Sequence, residues 1–220
     1  MCGIAGIMFK SGDASKETGT ALIDMLGCIQ HRGPDSTGFA LYGDDHTGEL
    51  KLRFHLNAGK NSNDTIDLIK AALKQHSASL IDDDHTGDNY CANVSFSGDL
   101  QKFAYAMEHA APDATVLSIG EKLDIVKDVG GAQDVDNRYD VGSFTGTHGL
   151  GHVRLATESD VKPEAAHPFW ATGFSDVAIV HNGQITNYWK MRRRLERRDF
   201  EFRTDNDSEL IAVYLADKMA

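Results

Sequence analysis

The residues best suited to chemistry are a cysteine next to the chain start and a few polar clusters far from it in sequence. Cys2 follows the initiator methionine in "MCGIAGIMF". A structural thiol gains little there, because chain ends fray and are solvated. Two readings are open. Either Cys2 is an incidental small residue heading a strand, or Met1 is removed and Cys2 carries a nucleophilic sulfur and a free α-amine together. The other clusters are "HRGPDSTG", "GHVRLAT", "VHNGQITN" and "TDNDSEL", each beside a glycine or a strand end. Taken singly, Arg154 reads as a surface cation and Asn182-Gly183 as a hairpin turn. Asp205 and Asp207 alone read as caps before the last helix. All four clusters in this order behind an N-terminal "CGI" are hard to reach by accident.

Other clusters carry less. "DDDHTGDNYCAN" opens like a calcium loop, with Asp82, Asp84, Thr86 and Gly87 in the expected places, but it ends on Asn93 instead of a bidentate glutamate. The histidines show neither HExxH nor paired CxxC spacing, so zinc is unsupported. The basic run "KMRRRLERRDFEFR" falls on a helical pattern in a chain of net charge −11, which reads as a solvated face. That net charge argues against nucleic-acid and anionic-membrane binding. No apolar run approaches the roughly 20 residues of a bilayer span, and "MCGIAGIMFK" lacks a basic leader region. Three cysteines, at 2, 28 and 91, form no disulfide framework. A reducing, cytoplasmic setting is expected.

The elements that must position these residues read as mixed α and β, with antiparallel strands. A buried strand follows Gly3. Leu22, Leu26 and Ile29 fall at helical spacing, which predicts a helix over 19–30 ended by Gly33 and Pro34. Strands are expected at 39–43, 49–56 and 90–98, a strand pair at 115–120 and 123–130, and helices at 63–76 (capped by Asn63 or Asp64) and 100–110. The two copies of "DDHTG", at 44–48 and 83–87, read as polar turns. Strand-to-loop segments at 147–157 and 176–184 precede helices at 186–198 and 207–220. Residues 43–146 read as an insertion between two motif-rich flanks. The last helix is apolar up to Ala220, as expected of a helix that packs on a partner or continues in a longer chain.

On these motifs the sequence resembles the glutaminase domain of class II glutamine amidotransferases, which are N-terminal-nucleophile hydrolases. "YDVGSFTGTHGLGHVRLATES", "HPF" and "VHNGQITN" are most similar to stand-alone glutaminase subunits of the glutamate synthase or N-methylglutamate synthase kind. The resemblance implies an α+β fold, a four-layer αββα sandwich of two antiparallel sheets. One amidotransferase domain would cover 1–220, with an α/β insertion at 43–146.

It also implies roles. Cys2 attacks the side-chain amide of glutamine and forms a thioester. Its α-amine, which titrates at about 7.7–8.0 in model peptides, takes the thiol proton. Asn182 and the Gly183 N–H donate to the oxyanion. Arg154 forks onto the substrate α-carboxylate and Thr157 adds hydrogen bonds to it. Asp207 pairs with the α-ammonium, with Asp205 as a rival. Arg32 holds the loop over Cys2, and His167 and His181 fix loops. No cofactor or metal is expected in this chain. FMN and an iron–sulfur cluster would sit on a separate flavin-containing synthase subunit that takes the ammonia, in a hetero-oligomer. The alternatives are a non-catalytic regulatory or assembly subunit, which a retained Met1 would favour, and hydrolysis of another amide.

Overall fold

The computed structural model describes residues 2–10, 13–44, 47–57, 61–156 and 161–220. In chain order the elements are β1 (Gly3–Met8), α1 (Thr18–Ile29), β2 (Ser36–Tyr42), β3 (Glu49–Leu56), α2 (Ser62–Gln75), β4 (Ser79–Thr86), β5 (Asn89–Ser95) and α3 (Leu100–Glu108). There follow β6 (Ala114–Gly120), β7 (Leu123–Val129), α4 (Ala132–Tyr139), β8 (His148–Arg154), β9 (Phe169–Trp170), β10 (Ala178–Ile179), α5 (Tyr188–Glu196) and α6 (Glu209–Met219). The protein is α+β, with two antiparallel four-stranded sheets. One runs β1-β8-β2-β7 and the other β4-β5-β3-β6.

Alternation along β2 explains how the first sheet is covered. Phe39 and Leu41 point to one side, where α1 lays Leu22, Ile23 and Leu26 and α4 lays Val135. Leu22 and Leu26 are fully buried, and each contributes roughly 1.5–3 kcal/mol of apolar burial. Ala40 and Tyr42 point to the other side, into a core shared with Leu123 and Ile125 of β7. That core also holds Leu52, Phe54, Tyr90 and Ala92 of the second sheet and the apolar faces of α2 and α3. The segment 43–146 therefore supplies the whole second sheet, shares its core with the flanks, and returns β7 and α4 to the first sheet. A fork from Arg53 on β3 to Asp124 on β7, at 2.9 and 2.6 Å, ties the two sheets together.

Three local expectations are corrected. The segments 115–120 and 123–130 form strands but not a pair, because β6 bonds to β3 and β7 to β2 in different sheets. The second "DDHTG" is largely strand. Asp83–Thr86 lie in β4, an edge strand exposed along its whole length. Helix α2 is capped by Asn61, whose side chain accepts from the Asn63 N–H at 3.2 Å.

Candidate active site

Strand register brings the distant clusters together. β1 and β8 pair with Gly3 opposite Val153, which delivers Cys2 to the end of β8. There its Sγ accepts from the Leu155 N–H at 3.4 Å and faces the Leu155 carbonyl at 3.8 Å. Arg154, the last residue of β8, is almost fully buried. Burial pushes its pKa down, opposed by the charges of Cys2 and Asp35. Asp35, from "HRGPD", holds the chain just after β8. Its carboxylate accepts from the Ala156 N–H at 2.7 Å, and its own N–H donates to the Arg154 carbonyl at 3.0 Å. Arg32 Nε donates to the Cys2 carbonyl at 3.2 Å.

The loop after β10 brings the amide donors. Asn182 Nδ2 donates to the Cys2 carbonyl at 2.9 Å. Gly183 follows where a Cβ would lie 2.6 Å from His181 Nε2, so a side chain there would force His181 aside. His181 Nδ1 meets Ser208 Oγ at 2.9 Å, which makes it a strap between this loop and the start of α6. The two aspartates differ in what they hold. Asp207 Oδ2 accepts from the Ile185 N–H at 2.5 Å. Asp205 is largely exposed and accepts from Arg192 at 3.0 Å. Cys2, Arg154, Asn182, Gly183 and Asp207 line one open cleft of roughly 840 Å³. Thr157 lies outside the described residues. Among the described residues no group of three or more histidines, cysteines and acids is arranged to hold a metal ion, and no helix is long and apolar enough to cross a membrane.

Several supporting residues went unread in the sequence. Asn206 Nδ2 donates to the Ala165 carbonyl at 3.0 Å, and Asn206 Oδ1 accepts from the Ser208 N–H at 3.0 Å. Their signal was position alone, inside "TDNDSEL". His152 on β8 stacks on His167 with ring centroids 4.1 Å apart, both buried. Burial pushes His152 down to about 4 and His167 well below the ordinary histidine value.

Such neutral histidines have a consequence for stability. Unfolded histidine titrates at about 6.5, so below that pH the unfolded chain binds protons that the folded chain refuses. The stabilisation is present above about pH 6.5 and is lost as pH falls toward about 4. For His152 the loss amounts to about 3 kcal/mol. Urea unfolding across that window should show it, and His152→Asn should flatten the slope. A stability independent of pH there would contradict the assignment.

Comparison with known proteins identifies a family. A glutamine amidotransferase domain family matches residues 137–218. A candidate glutamine amidotransferase of Methanothermobacter thermautotrophicus is 37% identical over 225 residues, covering 100% of this chain and 73% of the relative. The chain belongs to the glutamine amidotransferase family. A second relative of this amidotransferase, the glutamine amidotransferase-like protein GlxB of Rhizobium meliloti, is 36% identical over 220 residues, 100% of this chain and 71% of its own. The isomerizing glutamine–fructose-6-phosphate aminotransferase of M. thermautotrophicus matches more narrowly. It is 39% identical over 106 residues, 48% of this chain and 18% of the enzyme. The domain match spans the segment that holds Arg154, Asn182, Gly183 and Asp207, and the two longer matches cover 100% of this chain.

Proposed function

We propose that this amidotransferase is a class II glutaminase that hydrolyses glutamine through a thioester on Cys2 and hands the ammonia to a synthase partner. The observation that carries the reading is the convergence of Cys2, Arg154, Asn182, Gly183 and Asp207 on one cleft. Loss of Met1 frees the Cys2 α-amine as the base for its own thiol. Attack puts negative charge on the amide oxygen. The Asn182 amide, which rests on the Cys2 carbonyl in the free protein, is within reach to donate to it, together with the Gly183 N–H. The glutamine head group is a zwitterion, which Arg154 and Thr157 take at the carboxylate and Asp207 at the ammonium. Asp205 lines the same cleft, but Asp207 is preferred because Asp205 is already paired with Arg192 and is largely exposed.

In this reading the chain is one amidotransferase domain, 1–220, in which 43–146 carries the second sheet. Its layers follow the αββα order of the N-terminal-nucleophile hydrolases, an arrangement supported by α1 and α4 covering the outer face of one sheet and α2 and α3 packing on the other. The acceptor chemistry sits on a cytoplasmic, flavin-containing subunit of the glutamate synthase type, with FMN and an iron–sulfur cluster on that subunit and the two chains joined as a hetero-oligomer.

The test combines intact mass with turnover. The purified chain should lack one methionine and release glutamate from glutamine. Arg154→Lys should raise KM far more than it lowers kcat, because a point charge cannot copy a two-pronged contact. A retained Met1 with no glutamate release would make the chain a non-catalytic assembly subunit.

A further inference from the structure

Among the described residues the catalytic reading leaves a buried lysine unused. Lys127 on β7 is 3% exposed and lies outside the sequence clusters. Its Nζ donates to three main-chain carbonyls of one segment: Glu164 at 3.1 Å, Ala166 at 2.8 Å and Pro168 at 3.1 Å. An ammonium has three donors and an uncharged amine two, so this cradle matches the charged form. Burial pushes the Lys127 pKa down to about 7, opposed by Glu209 and Glu164 and reinforced by Arg154. The Phe169 ring adds a cation–π contact at 4.9 Å.

The segment gathered in this way carries His167. Its carbonyl lies so close to β2 that a Cβ on Gly38 would be 2.0 Å from it. His167 as a whole is 4% exposed and lines the cleft that holds Cys2 and Arg154. Both ring nitrogens are buried, and neither has a hydrogen-bond partner among the described residues. The ring is held by stacking on His152 and by an edge contact with Phe169, at centroid distances of 4.1 and 4.9 Å. Nothing bonds the imidazole in place, so its position depends on the backbone that Lys127 clamps.

We propose that Lys127 is a positioning residue of the glutaminase site, whose ammonium gathers the carbonyls of Glu164, Ala166 and Pro168 and so sets the His167 imidazole in the cleft wall. The proposal rests on the glutaminase reading for its effect on turnover, but not for the coupling between Lys127 and His167. The charged and titratable groups facing His167 are Lys127 from β7, His152 and Arg154 from β8, and His181 from the loop after β10.

Two readouts on the full chain test it. The first needs no turnover. The His167 ring carbon–proton resonance, assigned by its loss in His167→Gln, is followed by NMR from neutral pH into mild acid. In Lys127→Met it should shift and titrate at higher pH, because the clamp and a facing cation are gone. Lys127→Arg keeps the charge without the three-carbonyl geometry. It should shift the resonance while raising its titration less, and it serves alone if Lys127→Met does not fold.

The second readout is a double-mutant cycle on kcat/KM for glutamine. Lys127→Met should cost about 10- to 100-fold in the wild-type background, the scale for a small misplacement in a site. It should cost little in the His167→Gln background. A His167 resonance indifferent to both Lys127 variants, or equal losses in both backgrounds, would overturn the proposal. If the wild-type chain turns over no glutamine, the glutaminase reading fails and the NMR readout alone decides the role of Lys127.

Discussion

Glutamate release from glutamine is expected to vanish in Cys2→Ala while the chain keeps its fold. Removing a nucleophile costs on the order of 10⁵–10⁶ in kcat. The structure offers no substitute thiol. Cys28 is exposed on α1, and Cys91 is buried in β5, where burial pushes its pKa up to about 11. Among the described residues the Cys2 sulfur meets the Leu155 backbone at hydrogen-bond range, so its loss should change stability by less than about 1 kcal/mol. Glutamate assays on the purified variant, with circular dichroism as the fold control, read both halves. Residual turnover above a few per cent would remove Cys2 from the mechanism. The glutamine analogue 6-diazo-5-oxonorleucine should alkylate the same sulfur, and peptide mapping that finds the adduct on Cys28 or Cys91 would count equally against it.

Asn182→Ala should lower kcat by about 10²–10³, the loss typical of one oxyanion donor, with KM changed far less. In the free protein the amide already sits 2.9 Å from the Cys2 carbonyl on a loop fixed by His181 and Asp207. Little reorganisation is needed for it to meet charge that develops on a substrate bonded to the sulfur of the same Cys2. Because Asn182 is exposed, truncation should leave stability nearly unchanged, which separates the catalytic loss from misfolding. Steady-state kinetics decides the assignment. A raised KM with kcat intact would make Asn182 a ground-state contact, not an oxyanion donor.

Much of the scaffold was legible in local pattern. Leu22, Leu26 and Ile29 at helical spacing marked α1, and "ELKLRFHL" marked β3 to the residue, because one-sided burial writes its period into the sequence. β4 was not legible. "SLIDDDHT" has no alternation, since an edge strand exposed along its length buries neither set of side chains, and its acidic residues discourage pairing with another chain. The partition of β6 and β7 was equally hidden. A short connection between two strands reads as a hairpin, and only the competition of β3 and β2 for their edges sends them to separate sheets.

The sequence by itself determined the chemical inventory: a cysteine beside the start, Arg154, the Asn182-Gly183 pair and two candidate aspartates. Such groups are chosen for reactivity or charge, which residue type alone reveals. Tertiary structure decided their arrangement. The register of β1 on β8 put Cys2 beside Arg154 and Leu155, while Asp205 pairs with Arg192 and Asp207 holds the loop that carries Asn182 and Gly183 through the Ile185 N–H. It also decided the roles of Lys127 and His152, which carry no local signal. A lysine on a strand reads as a surface residue until three carbonyls from a segment far along the chain close around it, because burial and backbone hydrogen bonding are properties of contacts distant in sequence.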